Sequence, residues 1–278
     1  MRGDVFTAAV DGGQVSGWVA GNGVPVLMLH GGPGMSYDYL EDLADELGPG
    51  YRIASFQQRG VAPSMLDGPF DIDTHLADVG AVLGALDWPT AYVVGHSWGG
   101  HLAFHVAVAL PDRTSGVLAL DPLGGVGDGG EAEFGAEMVA RVPEGCRTRA
   151  AELDARAMAG EGTEEDELES LRLFWPAYFA DFDSAPAMPP LSLSVPAYAQ
   201  CFDSIREQLP ALEAALPTVS VPVGVVAGAR SPMPTSAAIE TAAMIPGAWV
   251  EVVEGAGHFP WFERPGSVRS ALARLAGS

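Results

Sequence analysis

The chain has 278 residues, of which 48% are hydrophobic, and a formal net charge of −22 at pH 7. That charge argues against binding to nucleic acid or to an anionic membrane surface, because both would repel the protein. No apolar run approaches the ~18 residues that span a bilayer, and no apolar targeting segment precedes the first predicted strand. We therefore expect a cytoplasmic protein without membrane contact. Cys146 and Cys201 form no C-x-x-C pair, and we expect both to be free thiols.

The first part of the chain alternates between strand and helix patterns. Two short strands around the turn Asp11-Gly12-Gly13 predict a hairpin. A continuous apolar run, Val24 to Leu29, predicts a strand that is buried on both faces. Apolar runs and 3.6-residue periodicity predict the next elements: a helix at 39–47, a strand at 52–56, a helix that follows N-cap residues at 71–74, and strands at 91–94 and 116–120.

The alternation stops after Asp121 and resumes near Val221. Between 126 and 217 the pattern predicts helices and proline-rich joints but no strand, and 181–196 is predicted as a loop. Further strands are predicted at 221–227 and 248–253, with helices at 235–244 and 267–275. We therefore predict a doubly wound, mostly parallel α/β sheet of about eight strands. Its core would comprise 1–125 and 218–278, with 126–217 inserted as a helical lid.

The motif Gly95-His96-Ser97-Trp98-Gly99-Gly100 lies between a predicted strand and a predicted helix. In this context G-x-S-x-G forms a sharp turn that exposes the serine hydroxyl. The N–H groups at the start of the following helix point at any negative charge that forms nearby. We predict Ser97 as a nucleophile; a glycine-rich turn with a solvent-facing serine is the alternative.

A second glycine-rich segment, His30-Gly31-Gly32-Pro33-Gly34, follows another predicted strand. In doubly wound sheets the ligand site lies at the carboxyl ends of the strands. We predict that the N–H groups of Gly32 and Trp98 form an oxyanion hole, which stabilises the negative charge of a tetrahedral intermediate.

Of the six histidines, His258 follows the last predicted strand, in the segment Gly255-Ala256-Gly257-His258-Phe259-Pro260. The order nucleophile, acid, histidine along the chain is the one that accompanies a G-x-S-x-G elbow. We therefore predict His258 as the general base. The other histidines are predicted in turns, on helices or next to Ser97.

These three motifs resemble those of α/β-hydrolases over essentially the full chain. The H-G-G-P-G loop and the segment Gln57-Gln58-Arg59-Gly60 are similar to the proline iminopeptidase branch, in which an Asp stands where Gln57 stands here. The resemblance implies an acid in a Gly-x-x-Asp context, but Ser231 occupies that place. We predict Asp121 as the acid instead, because it ends the strand after that of the nucleophile. Asp128, Glu254 and a missing acid remain open.

The lid carries an aromatic cluster that includes Trp175, Tyr178 and Phe179. These side chains either line a substrate pocket or fasten the lid to the core. The resemblance also implies lid glutamates that bind a substrate amine, but none of the acidic lid residues (Glu164, Glu165, Glu167, Glu169) aligns with them. No sequence pattern for a metal or cofactor is present.

Three functions follow from this sequence. The first is a cofactor-independent serine hydrolase that acts on a small ester or amide through an acyl-enzyme. The second is an aminopeptidase that acts on short peptides, as in the proline iminopeptidase branch. The third is a ligand-binding protein with a degenerate triad. The oligomeric state is left open by the sequence.

Overall fold

The structure of the protein, a computed structural model, describes residues 3–159 and 161–277. Met1, Arg2 and Ser278 of the predicted core and Gly160 of the predicted lid lie outside these residues. In the described part, eight strands form one sheet in the order β1-β2-β4-β3-β5-β6-β7-β8. The strands are β1 (Asp4–Val10), β2 (Gly13–Gly21), β3 (Gly23–Leu29), β4 (Gly50–Phe56), β5 (Ala91–His96), β6 (Thr114–Leu120), β7 (Val223–Gly228) and β8 (Trp249–Val253).

The predicted sheet is confirmed. β1 and β2 form an antiparallel hairpin in which Val10 faces Gly13, and β2 runs antiparallel to β4. The remaining neighbours pair in parallel, from β4 through β3, β5, β6 and β7 to β8. Because all these parallel strands end at the same edge, their following loops meet there.

Helices cover both faces of the sheet. Alternate residues of β3 point to opposite faces, as the two-residue repeat of a strand requires. Leu27 belongs to one apolar cluster and Met28 to the other. The helices of the core are α1 (Glu41–Leu47), α2 (Ile72–Ala85), α3 (Trp98–Ala109), α8 (Thr235–Met244), α9 (Pro260–Glu263) and α10 (Ser267–Ala276).

The predicted lid segment lies between β6 and β7. Its helices are α4 (Glu131–Arg141), α5 (Glu144–Met158), α6 (Glu164–Phe174) and α7 (Val195–Ala215). α6 begins with a capping box in which Thr163 and Asp166 exchange hydrogen bonds. Arg141 fastens the lid to the core because its guanidinium donates to the carbonyls of Arg230 and Ser231.

The segment predicted as a loop at 181–196 also pairs with the core. Leu193 and Met35 form an isolated antiparallel bridge. Ser194 donates its N–H to the Gly34 carbonyl at 2.7 Å. The lid is thereby hydrogen-bonded to the H-G-G-P-G loop. Among the described residues, no helix has both the length and the hydropathy needed to cross a membrane.

Candidate active site

Ser97 lies in the turn between β5 and α3. Its φ of 55° and ψ of −118° are a combination that L residues rarely adopt. A Cβ on Gly95 would lie 2.0 Å from the carbonyl oxygen of Gly99, and a Cβ on Gly99 would lie 2.2 Å from that of Leu29. Both glycines of the motif are therefore required by the close approach of backbone in this turn. Ser97 remains half-buried, whereas both glycines are buried.

Strand pairing places Asp121 next to this turn. His96 and Leu120 are partners at the ends of β5 and β6, and Ser97 donates its N–H to the Leu120 carbonyl at 2.9 Å. Asp121 follows directly with φ 43°, and its N–H donates to the Val226 carbonyl at 2.6 Å. The carboxylate is thus held at the same edge of the sheet as Ser97.

His258 contacts Asp121. The imidazole Nδ1 lies 2.5 Å from Asp121 Oδ2, and the two side chains are 3% and 1% exposed. An ionised carboxylate only accepts hydrogen bonds, so Nδ1 carries the proton and Nε2 of the neutral ring is free to accept one. The alternative acids lie elsewhere: Asp128 accepts the Gly130 N–H, and Glu254 is exposed.

Asp121 has two further donors besides His258. The Gly228 N–H donates to Oδ1 at 2.8 Å, and the Ser231 hydroxyl donates to Oδ2. Ser231 Oγ in turn accepts the Met233 N–H at 3.0 Å. Such donors offset the loss of water around a buried carboxylate. Sequence reasoning placed Ser231 at the usual position of the acid but missed this hydrogen bond.

His96, which directly precedes Ser97, contacts His258. The rings of His96 and His258 lie 4.6 Å apart between centroids, and His96 Nε2 lies 2.9 Å from the His258 carbonyl oxygen. Within residues 3–159 and 161–277, no hydrogen bond joins Ser97 Oγ to His258. Catalytic hydrogen bonds of this kind often tighten only when substrate binds.

The H-G-G-P-G loop passes over the nucleophile. A Cβ on Gly31 would lie 2.8 Å from the Cβ of Ser97, so only a glycine allows this approach. The backbone of the loop therefore approaches Ser97, the predicted nucleophile, closely.

The two predicted oxyanion donors follow the two residues of this contact: Gly32 follows Gly31, and Trp98 follows Ser97. Gly32 has φ 61°, and its carbonyl accepts the Met35 N–H at 2.9 Å. Trp98 is the first residue of α3, where a backbone N–H has no acceptor within the helix. Among the hydrogen bonds of the described residues, neither the Gly32 N–H nor the Trp98 N–H is a donor. The prediction that these two N–H groups form an oxyanion hole is compatible with this arrangement.

Two glutamines after β4 hold the loop. Gln58 accepts the indole N–H of Trp98 at 2.8 Å and donates to the His30 carbonyl at 3.1 Å. Gln57 donates to the Met35 carbonyl at 2.9 Å. Sequence reasoning treated Gln57 only as a departure from the resembling family. Both glutamines directly follow a predicted strand, and this position could have indicated that they lie near the site.

The lid covers His258 with two aromatic rings. The Tyr178 ring is tilted by 30° to the imidazole at a centroid distance of 5.2 Å, and the Tyr178 carbonyl accepts the His258 N–H at 2.8 Å. Phe134 lies 6.2 Å from the imidazole. Phe134 was missed, because nothing in its sequence context indicates which way a lid side chain points.

The other two predicted pocket residues pack differently. Trp175 and Phe179 lie 5.2 and 5.1 Å from the ring of Phe259, which follows His258. They therefore fasten the lid to the core. Trp175 also lines a lid cavity of about 610 Å³ whose lining residues include Arg172 but neither Ser97 nor His258.

Burial keeps the neighbouring histidines uncharged. Desolvation lowers the pKa of His30 to about 4. It also holds the pKa of His96 well below its usual value, and the nearby His258 acts in the same direction. Both rings are neutral at pH 7 and serve as fixed hydrogen-bond partners. In the part of the chain that the structure describes, no three His, Cys, Asp or Glu side chains are grouped as metal ligands would be.

Comparison with known proteins defines the class. A family model described as alpha/beta hydrolase family matches residues 26–271. The chain belongs to this family.

Individual relatives match shorter regions. Epoxide hydrolase B of Mycobacterium tuberculosis is 34% identical over 106 residues, which are 37% of this chain and 30% of that enzyme. A non-heme chloroperoxidase of Streptomyces lividans is 38% identical over 102 residues, 35% of this chain and 36% of that protein. The chain thus spans about a third of the length of the curated relatives it matches.

The fold is also shared with solved structures. A proline iminopeptidase from Mycobacterium smegmatis superposes with a TM-score of 0.69 at 21% identity, over 99% of this chain and 98% of that one. At this identity the likeness concerns the fold. The particular reaction of this protein is therefore argued from its own site.

Proposed function

We propose that the protein is a cofactor-independent serine hydrolase that cleaves a small ester or amide through an acyl-enzyme. The observation that carries the proposal is the buried contact of 2.5 Å between His258 Nδ1 and Asp121 Oδ2, beside the strained turn of Ser97. This contact orients Nε2 of the histidine as a base and stabilises its protonated form.

In the proposed reaction Ser97 is the nucleophile and His258 transfers the proton. Ser97 Oγ attacks the substrate carbonyl carbon while His258 Nε2 takes the hydroxyl proton, and the carbonyl oxygen becomes an oxyanion held by the N–H groups of Gly32 and Trp98. The intermediate collapses, the leaving group departs with the proton from His258, and an acyl group remains on Ser97. Water then attacks the acyl carbon with His258 as base, which releases the acid and restores the serine.

A serine nucleophile argues against epoxide hydrolysis, although several relatives are named epoxide hydrolases. Opening an epoxide with Ser97 Oγ would leave an ether on the enzyme, and water does not readily cleave an ether. A carboxylate nucleophile would form an ester instead, which water can hydrolyse. We therefore expect no turnover of simple epoxides.

The ester or amide function is preferred over aminopeptidase activity because of the lid carboxylates. Glu169 accepts hydrogen bonds from Nε and Nη2 of Arg149, at 2.7 and 2.6 Å, so its charge is already paired. Glu164 and Glu165 are exposed in the first turn of α6, where negative charge stabilises the helix. These contacts give the three carboxylates structural roles that do not involve a substrate amine.

The degenerate-triad function is weakened by Asp121. That alternative was based on Ser231 in the place of an acid, but a carboxylate from β6 reaches the histidine. We further propose that the protein acts in the cytoplasm on a small molecule.

The proposal is tested by labelling with a fluorophosphonate probe. We expect labelling of the wild type and of Ser236→Ala, a control at an exposed serine, and none of Ser97→Ala. Intact mass after exposure to p-nitrophenyl acetate should show an acetyl group on Ser97. A wild type that neither labels nor hydrolyses this ester would contradict the proposal. Faster turnover of a prolyl arylamide than of the ester would favour the aminopeptidase.

A further inference from the structure

A chain of hydrogen bonds passes through His96, the residue before Ser97. The proposed mechanism does not use it. The Gly31 N–H donates to Tyr39 Oη at 2.6 Å, and Tyr39 Oη lies 2.8 Å from His96 Nδ1. His96 Nε2 lies 2.9 Å from the carbonyl oxygen of His258. The chain therefore connects the oxyanion loop at one end with the loop of the catalytic histidine at the other.

The direction of every bond in this chain is determined by its ends. A carbonyl oxygen only accepts, so His96 Nε2 must carry a proton and donate it to His258. His96 is neutral, because burial and the nearby His258 hold its pKa well below the usual value. Its Nδ1 is therefore an acceptor, and the Tyr39 hydroxyl must donate to it. The tyrosine oxygen is then free to accept the Gly31 N–H.

Aromatic packing keeps the middle of the chain in place. The His96 ring lies 5.1 Å from the Phe259 ring and 4.8 Å from that of Trp261, and it meets the Tyr39 ring edge to face at 5.5 Å. A side chain enclosed in this way has little freedom to exchange partners.

Each end of the chain holds a group that borders a reacting atom. Gly31 immediately precedes the proposed oxyanion donor Gly32, whose own carbonyl is held by the Met35 N–H at 2.9 Å. The backbone around this donor is thereby fixed on both sides. At the other end, the bond from His96 fixes the backbone of His258.

We propose that Tyr39 and His96 are positioning residues, which hold the oxyanion donor and the catalytic base at a fixed separation around Ser97. This inference rests on the serine hydrolase function proposed above. Reaction rates depend steeply on such placement, because a shift of about 1 Å can cost about 10²-fold.

The test compares variants that break the chain at different points. Tyr39→Phe keeps the ring but leaves the Gly31 N–H without its acceptor. His96→Leu removes both bonds of the imidazole, whereas His96→Gln offers an amide N–H for the His258 carbonyl. Tyr92→Phe, on the same strand as His96, is the control for loss of a tyrosine hydroxyl.

Each variant is measured with p-nitrophenyl acetate as substrate and trifluoroacetone as inhibitor. Ser97 Oγ adds to the inhibitor's carbonyl carbon, the C=O π bond breaks, and the serine proton passes to His258 Nε2, so inhibition reports on the oxyanion hole. For Tyr39→Phe we expect kcat to fall about tenfold with KM nearly unchanged, and inhibition to weaken by the same factor. His96→Leu should lose more than His96→Gln, and Tyr92→Phe should match the wild type.

Several outcomes would overturn the inference. One is kcat within about twofold of the wild type in both Tyr39→Phe and His96→Leu; another is a rise in KM without a change in inhibition. If Tyr39→Phe does not fold, the difference between the two His96 variants decides. Separately, ¹⁵N NMR of the wild type should show His96 protonated at Nε2 only. Protonation at Nδ1 would contradict the hydrogen-bond directions assigned to Tyr39 and His96. A wild type that is inactive and unlabelled refutes the proposed function, whereas an active wild type with active variants refutes only this inference.

Discussion

Ser231 donates its hydroxyl proton to Asp121, a residue 110 positions earlier in the chain. The resemblance to α/β-hydrolases implies an acid at the position of Ser231. In this protein the carboxylate comes from the end of β6 and a hydroxyl comes from the turn after β7. Because β6 and β7 are paired neighbours, with Leu120 opposite Val226, either strand can bring a side chain to the same histidine.

The first prediction concerns that charge. Asp121→Asn keeps the size of the side chain but cannot stabilise the imidazolium of His258, and its amide favours the wrong tautomer. We expect kcat to fall by about 10²–10⁴-fold. The measurement is kcat/KM for p-nitrophenyl acetate, with circular dichroism to confirm folding. Asp128→Asn, at an exposed position, is the control and should retain activity. Near wild-type activity in Asp121→Asn would contradict the assignment of Asp121 as the acid, and Asp128 and Glu254 would be the next candidates.

The second prediction concerns the donor. Ser231→Ala removes one of three hydrogen bonds to Asp121 and the acceptor of the Met233 N–H. A hydrogen bond to a charged group contributes about 1.5–3 kcal/mol, but Ser231 donates to Asp121 in the ground state and in the transition state, so only part of this affects the rate. We therefore expect a loss of about fivefold in kcat/KM, well below that of Asp121→Asn.

The effect of Ser231→Asp on activity should be opposite in the wild type and in the Asp121→Asn variant. In the wild type it places two carboxylates in contact, which disfavours ionisation of both and should lower activity. In Asp121→Asn it restores a carboxylate at the position usual for the family and should raise kcat/KM. A double-mutant cycle measures this coupling. Independent, additive effects of the two substitutions would contradict a shared site.

Local sequence patterns predicted most of the fold because most strands and helices of the core carry a signal of their own, whereas the short helix α9 was not predicted. Val24 to Leu29 is apolar throughout and lies in β3, of which 26–29 are buried whereas Val24 is exposed. The Asp71 side chain caps α2 through the Thr74 N–H. One difference between the predicted and the observed structure is at Leu193, where a predicted loop pairs with Met35. A single bridge of this kind depends on where the lid docks, and no local periodicity encodes that.

The candidate site was predictable where its residues end strands and less so where contacts cross the chain. Ser97, Asp121 and His258 each follow a predicted strand, so parallel topology alone brings them to one edge. The hydrogen bond from Ser231, the chain through Tyr39 and the ring of Phe134 over His258 join distant segments. Side-chain direction within a turn or a lid decides these contacts, and the sequence contains no direct signal for it.

The third prediction concerns the ring of Tyr178 above His258. An aromatic face near a cation stabilises it by about 0.5–2 kcal/mol, so this ring should support the imidazolium that forms during the reaction. We expect Tyr178→Leu to lower kcat by roughly 2- to 30-fold, whereas Tyr178→Phe, which retains the face, should stay near the wild type. Stopped-flow measurement of the acylation rate separates this effect from product release. Equal activity of the leucine and phenylalanine variants would show that the ring has no such role.

The fourth prediction concerns folding stability and the histidines that are buried near the nucleophile. Burial lowers the pKa of His101 to about 4 and those of His75 and His105 to about 3, from 6.5 in each case. His30 shows the same direction for the same reason. In the unfolded chain these groups bind protons at a higher pH than in the native protein. Their contribution is therefore fully present above pH 6.5 and is lost as the pH falls towards 4.

The free energy of unfolding should accordingly fall between pH 7.5 and 5, by up to about 1.4 kcal/mol per pH unit for each such histidine below pH 6.5. Guanidinium titrations at several pH values measure this slope. His75→Phe is the informative variant: in the described part of the chain, His75 Nδ1 has no hydrogen-bond partner. Its ring also meets that of Trp98 edge to face at 5.6 Å, a contact that phenylalanine can retain. This variant should reduce the slope by about one proton without a large loss of stability at pH 7.5. A slope that is flat in the wild type, or unchanged in His75→Phe, would contradict the assignment of neutral buried histidines.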